Sequence, residues 1–228
     1  MTSSAIAGST GLVGAHILSQ LLAQPSISSV FAFTRRELPN PTSSSKLSPI
    51  SSTDSSTWPS LFPKSPTPKI FFSGLGTTRG QAGGVEGQRK IDLDLNYDLA
   101  KAAKDAGVET YVLISSANPN PNSMVPYSKM KGELEEKVKG LGFKHTILLR
   151  PGLLVGSRED SRPGEAVMRA IAGGLKKVSP MLVNSWAQDA DVIARAAVVA
   201  GLQAVEGKKE DGVWILGQKD IIEVGKKE

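Results

Sequence analysis

Residues 3–25 read SSAIAGSTGLVGAHILSQLLAQP: a short apolar run, a turn with glycines at 8, 11 and 14, then an amphipathic helix closed by Pro25. No other stretch limits the fold so sharply. Glycine at every third position lets the backbone turn tightly out of a strand and into a helix. The first N–H groups of that helix lack intrahelical partners, and their partial positive charge favours an anion. A strand, a glycine turn and a helix in this order open a βαβ unit whose turn receives a diphosphate. Gly8, Thr10, Gly11, Leu12, Val13 and Gly14 are the residues expected around that group.

The remainder of the chain continues the alternation. SVFAFT (29–34), KIFFSGLG (69–76), VETYVLISS (108–116) and HTILLRPG (145–152) have the apolar, β-branched and aromatic content of strands. Between them, DLDLNYDLAKAAKDAG and YSKMKGELEEKVKGLG have helical spacing and end at Gly107 and Gly142. Strands alternating with helices imply a parallel sheet covered on both faces. The expected fold class is therefore α/β, a doubly wound parallel sheet of the Rossmann type. Residues 151–228 form a small, mostly helical C-terminal portion with one late strand, VWILG. A chain of 228 residues suits a single domain. Residues 37–68 are rich in serine and proline and predict a surface loop, on which Trp58, Leu61 and Phe62 touch down on the domain.

The end of the second strand discriminates between cofactors. A site for NAD places a carboxylate on the ribose 2′-hydroxyl about 20 residues past the glycine turn. Here FAFTRREL puts Thr34, Arg35 and Arg36 in that place, with Glu37 a nearby competitor at the start of the loop. A guanidinium pairs with a 2′-phosphate that a carboxylate would repel. NADP(H) is the expected cofactor.

In PYSKMKG (126–132), Pro126 suits a helix start and sets Tyr127 one turn from Lys131, on the same face. Lys129 points elsewhere. A tyrosine hydroxyl ordinarily loses its proton near pH 10. A neighbouring ammonium stabilises the phenolate and lowers that value, so the pair can exchange a proton with a substrate oxygen. Ser115 and Ser116 close the preceding strand with hydroxyls suited to orienting a carbonyl. The alternative is an exposed helix turn with strand-capping serines. The glycine turn upstream, and the position of this helix after the fourth strand, favour the chemical reading.

Composition removes other classes. The chain has no cysteine, which excludes disulfides and thiol chemistry, and only His16 and His145 could serve an imidazole metal site. The net charge of +5 includes GKKE twice, at 207–210 and 225–228, a solvated pattern, and no nucleic-acid-binding signature is present. No run reaches the ~18 apolar residues of a membrane-spanning helix, and the N-terminus has neither a signal-peptide core nor an arginine-rich leader. Asp92 and Asp94 are expected to be helix N-terminal charges, and Asp189 and Asp191 helix caps. His145 is expected to be structural. The charged segment SREDSRPGEAVMR (157–169) is expected to be a solvated, salt-bridged loop entering a helix. Because it follows the fifth strand, the alternative is that its backbone or Arg162 lines a substrate pocket. Trp186 is expected to pack in the core.

GSTGLVG, FTRR, YVLISS, Tyr127 with Lys131, RPG (150–152) and DADV (189–192) together resemble the short-chain dehydrogenase/reductases in their atypical branch. Three stretches, LNYDLAKAAKDAGVETYVLISSA, KGELEEKV and RPGLLVGSREDSRPGEAV, narrow the resemblance to the fungal "found in mitochondrial proteome" family and a mammalian Tat-interacting oxidoreductase-like relative. The resemblance implies NADP(H) binding and a Ser-Tyr-Lys catalytic set carried by Ser115 or Ser116, Tyr127 and Lys131, with Lys131 also on the cofactor ribose. Asn96 is the candidate for the asparagine many such reductases use as a fourth residue. The resemblance further implies peripheral attachment to the cytosolic face of the mitochondrial outer membrane. An NADP(H)-dependent reductase of a small carbonyl substrate is the expectation. The rival is a catalytically silent NADP(H) sensor or docking protein, favoured by the small size of 151–228.

Overall fold

In the computed structural model, which describes residues 2–36, 38, 44–155 and 187–226, strand β1 (Thr2–Ala7) runs through the glycine turn into helix α1 (Leu12–Ala23). The chain then moves outward through β2 (Ile27–Thr34) and β3 (Leu47–Ser51). It returns to the other side of β1 as β4 (Ile70–Ser73), and continues through β5 (Thr110–Ile114), β6 (His145–Leu149) and a late β9 (Gly212–Leu216). The sheet order is β3-β2-β1-β4-β5-β6-β9, with every neighbour parallel. The direction of winding reverses between β1 and β4. In such sheets the crevice at the carboxyl ends of those two strands receives the ligand. A short parallel pair, β7 (Leu153–Val155) with β8 (Ala187–Asp189), lies outside the main sheet.

Strand side chains alternate between two cores because successive residues point to opposite faces. On one face Ile6, Phe72, Val112, Ile147 and Leu149 pack against α1 and the alanine-rich α5 (Ala190–Val205). Small residues let α5 approach closely: Gly201 leaves 3.1 Å between an added Cβ and the Phe72 ring. On the other face Phe33, Phe71, Tyr111 and Leu148 pack against α3 (Asn96–Asp105) and α4 (Pro126–Lys139). Burying each such large side chain stabilises the fold by about 1.5–3 kcal/mol. The C-terminal helix α6 (Gln218–Val224) adds Ile221 to the first core.

The serine- and proline-rich segment departs from expectation. Within 37–68, Leu47–Ser51 is an edge strand registered on β2, with Val30 opposite Leu47 and Thr34 opposite Ser51. Residues Ser55–Leu61 form a 3-10 helix capped by Asp54, whose carboxylate accepts from Ser56 N–H. Trp58 and Phe62 are buried, whereas Leu61 is exposed. An edge strand washed by solvent needs little apolar content, and it tolerates Pro49 because one row of its backbone groups has no partner. Composition that resembles a loop is here the composition of an edge.

The helix expected over 92–107 begins earlier and is interrupted. It comprises α2 (Val85–Arg89), a π-helical turn (Lys90–Leu95) and α3.

Candidate functional site

The glycine turn stands at the β1/β4 reversal. Gly8 has φ +83°, and a Cβ there would lie 2.5 Å from the carbonyl carbon of Gly74, in the loop after β4. A Cβ on Gly14 would lie 2.0 Å from the Gly8 oxygen, so α1 presses directly on the turn. Gly11 N–H donates to Gly8 O at 2.9 Å and closes the bend. Thr10 is exposed above the turn, Leu12 is half-buried and Val13 enters the core. No side chain caps α1, which leaves its first N–H groups facing the crevice. The result is a shallow backbone cradle with a positive helix end, suited to a diphosphate. Among the described residues no cluster of His, Asp and Glu could hold a metal ion.

Beside the cradle, Ser9 Oγ donates to Phe33 O at 3.3 Å and ties the turn to β2. Arg35 and Arg36 follow β2 directly and are exposed. Neither guanidinium forms an ion pair with a described residue. Thr34 Oγ1 donates to Arg36 O and accepts from Arg36 N–H, which curls the backbone at the strand end. Glu37 lies outside the described residues, as do the 157–169 segment and Trp186.

On α4, Pro126 occupies the first turn as expected. Tyr127 is 43% exposed, and the Lys131 ammonium lies 5.8 Å from its ring centroid. Lys129 is exposed on another face. Lys131 is buried and has a partner: its Nζ is 3.6 Å from Asp92 Oδ1. Asp92, expected to be a helix N-terminal charge, is thus a buried residue of this site. Its Oδ2 accepts the Thr77 N–H at 2.8 Å, and burial raises its carboxyl pKa against the lowering influence of Lys131. Asp94, two residues on, is exposed.

Asn96 is fully buried and serves the backbone. Its Nδ2 lies 3.2 Å from Ile91 O, 3.3 Å from Asp92 O and 3.4 Å from Leu75 O, and its Oδ1 accepts from Ser73 Oγ at 2.5 Å. Ile91 O and Asp92 O belong to the π turn, whereas Ser73 ends β4 and Leu75 O lies in the loop that follows it. Asn96 therefore secures the turn that carries Asp92, and it is Asp92 that reaches Lys131.

Ser115 is also committed. Its hydroxyl donates to Glu135 Oε1 at 2.6 Å. Glu135, itself buried, is clasped by Arg150 through Nη2 at 2.6 Å and Nε at 3.2 Å. The hydrogen bond to Glu135 holds the Arg150 guanidinium above its ordinary pKa. Ser116 is half-buried, and its hydroxyl makes no hydrogen bond among the described residues. Sequence reasoning missed Glu135 and Arg150, although the four-residue spacing Tyr127, Lys131, Glu135 marks one face of α4 and was a usable signal.

His145 is buried and faces Asp211 at 3.6 Å, at the amino end of β6 and far from this chemistry along the strand. Asp189 is the N-cap residue of α5, and Asp191 pairs with Arg195 and accepts from Gln20 Nε2 at 3.1 Å.

The sheet order, the reversal beneath a glycine turn and the tyrosine–lysine helix define a Rossmann-type protein with the fold of the short-chain dehydrogenase/reductases. Solved structures share it. MoeE5 in complex with UDP-glucose and NAD superposes with TM-score 0.69 at 18% identity, covering 94% of this chain and 75% of that one. The UDP-Glc/GlcNAc 4-epimerase of Campylobacter jejuni gives TM-score 0.69 at 14% identity, covering 98% and 82%. Curated relatives are much closer in sequence. Protein fmp52-1, mitochondrial, of Aspergillus terreus is 53% identical over 99% of this chain and 100% of its own length. The Neurospora crassa protein fmp-52, mitochondrial, is 49% identical over 100% of this chain and 96% of its own. The HIM1 family pattern matches residues 67–178. The chain belongs to the Fmp52 family. Among the described residues, no helix is long and apolar enough to cross a membrane.

Proposed function

We propose that this protein binds NADP(H) in the β1/β4 crevice and acts as an oxidoreductase on a small carbonyl-type substrate. One observation carries the reading: at Gly8, Gly14 and Gly74 the backbones are packed so closely that a Cβ at Gly8 or Gly14 would collide with main chain. That packing leaves a cradle lined by peptide N–H donors, which fits a pyrophosphate. Gly8, Thr10, Gly11, Leu12, Val13 and Gly14 would hold that group, and exposed Arg35 and Arg36 the 2′-phosphate. Bound there, the nicotinamide supplies or accepts a hydride. Tyr127 exchanges a proton with the substrate oxygen. Lys131 stabilises the phenolate and keeps donors for the ribose, since an ammonium has three. Ser115 has given its hydrogen to Glu135, so it acts as an anchored acceptor, and Ser116 is the donor free to orient the substrate oxygen.

A second reading has its own support. Lys131 and Ser115 are both already engaged by buried carboxylates, an arrangement equally suited to binding NADP(H) without turnover. Calorimetry with NADPH and NADH, followed by absorbance with a carbonyl panel, decides between them. NADPH should bind more tightly than NADH, and Arg35→Ala with Arg36→Ala should remove most of that preference. Equal affinities in the unmodified protein would sink the cofactor assignment. Tyr127→Phe should keep NADPH affinity while turnover falls by about 10²–10⁴, the worth of general acid/base help. Binding without turnover of any carbonyl selects the sensor. The relatives are named mitochondrial. We extend that compartment to this chain, with peripheral attachment to the cytosolic face of the outer membrane. Release of the protein from intact mitochondria by alkaline carbonate, and its digestion by added protease, test the placement.

A further inference from the structure

We infer that Asp92 is the positioning residue of the site, holding the Lys131 ammonium in place from the π turn and coupling it to the loop that walls the glycine cradle. The inference rests on the dinucleotide reading and adds a residue to it. Asp92 and Lys131 are both almost wholly buried, with side-chain exposures of 1% and 4%. A buried ammonium with no counter-charge is unfavourable, and it would relax by moving or by losing its proton. Asp92 Oδ1 supplies that charge at 3.6 Å.

The second oxygen has a different task. Oδ2 accepts from Thr77 N–H, and Gln88 Nε2 donates to Thr77 O at 3.2 Å, so the peptides on both sides of Thr77 are fixed from the α2 and π-helical segments. Thr77 is three residues from Gly74, the backbone against which Gly8 is packed. One carboxylate therefore touches the tyrosine–lysine helix with one oxygen and the cradle loop with the other. Asp92 lies within the π turn, and Asn96 Nδ2 braces that turn through the Ile91 and Asp92 carbonyls. Lys131 is the charged group that faces Asp92. With one N–H directed at Asp92, its other two are left for the tyrosine oxygen and a ribose hydroxyl.

A double-mutant cycle on NADPH affinity tests the assignment with calorimetry alone, independent of turnover. Asp92→Asn removes the charge but keeps an oxygen for Thr77 N–H. It should weaken NADPH binding on the order of tenfold, within the coupling range for groups in contact. In a Lys131→Met background the same substitution should have no further effect, because the lysine through which it acts is gone. If the asparagine variant does not fold, Asp92→Gln, which also removes the charge and keeps an amide oxygen as acceptor, carries the same comparison. Unmodified affinity in Asp92→Asn, or additive losses in the double variant, overturns the inference while leaving the cofactor reading intact. Failure of the unmodified protein to bind NADPH or NADH overturns both.

Discussion

Taking a carboxylate out of water disfavours its ionisation, and burial raises the Asp92 pKa above the ordinary 3.8, with the Lys131 ammonium and the Thr77 N–H opposing only in part. Between the unfolded and the folded value the native state holds a proton that the unfolded chain has released; above both, Asp92 is the anion that faces Lys131. Stability from the protonated form is fully present below the unfolded value near 3.8 and is lost as pH rises through the folded value. Asp92→Asn has no such proton to lose. Its unfolding free energy should match that of the unmodified protein in acid, exceed it increasingly as pH rises from the unfolded to the folded value, and keep a constant lead above that. Urea denaturation of both proteins from about pH 4 to pH 8 measures the difference. If the unmodified protein instead gains on the variant with rising pH, Asp92 is stabilised as an anion and its burial is fully compensated. At this scale the sequence was partly legible. Tyr127 and Lys131 are neighbours because a helix makes them so, and four-residue spacing shows it. Asp92 lies on another element, and its contact with Lys131 exists only once α4 has packed against the π turn. Asn96 shows the converse, since its residue type fits a catalytic role whereas its neighbours are backbone carbonyls.

Elements reveal what single residues do not. The segment between β5 and α4, ANPNPNSMV, is polar and proline-containing, yet it is built from local hydrogen bonds. Asn120 Oδ1 accepts from Asn122 N–H at 2.9 Å, Asn120 N–H donates to Ser128 O at 3.0 Å, and Ser128 Oγ donates to Asn118 O at 2.5 Å. The loop thus folds back on the first turn of α4, next to Tyr127, and it seats on Gly132. A Cβ at Gly132 would lie 2.2 Å from Pro121 N and 2.4 Å from the Asn120 carbonyl carbon. Those are main-chain atoms, which cannot swing aside. Gly132→Ala should therefore cost about 1–3 kcal/mol, the usual range for overpacking, despite the better helix propensity of alanine. Gly140→Ala is the control. Gly140 has helical φ and ψ, and its nearest contact would be an ordinary 3.4 Å, so the change should be neutral or stabilise by about 0.4–1 kcal/mol. Denaturant midpoints decide it, and equal midpoints for the two variants would mean that the loop does not rest on α4. The glycine in PYSKMKG was visible in the sequence, but its reason was not, because the obstacle lies in a loop whose path depends on asparagine side chains.

Across the whole molecule, the alternation of strand and helix was the most legible feature, because two-residue and helical periodicities are properties of neighbouring residues. The sheet's outer edge was the least legible. Residues 47–62 have the composition of a loop, yet they extend the sheet beyond β2 and add two rings to its aromatic core. Trp58 lies 5.7 Å from Phe33, and Phe62 lies 5.7 Å from Phe33 and 5.3 Å edge-on to Phe71. The Trp58 indole N–H also donates to Ser52 O at 3.3 Å, which stitches the 3-10 helix to the end of β3. A dispensable loop and a structural edge predict opposite results when this segment is disturbed. For an edge, Trp58→Ala opens a cavity against Phe33 and should cost about 3–5 kcal/mol. Replacing residues 47–62 with a Gly/Ser linker should cost more, since it uncovers β2 and the Phe33–Phe71 contact together. It should also lower the urea m-value, because less surface is then exposed on unfolding. The cradle lies at β1 and β4, on the far side of β2 from the removed strand. Conditions that keep the shortened protein folded should therefore retain nucleotide binding. An unchanged midpoint and m-value would show that Trp58 and Phe62 contribute nothing to the core, and that the segment is the loop its composition suggests.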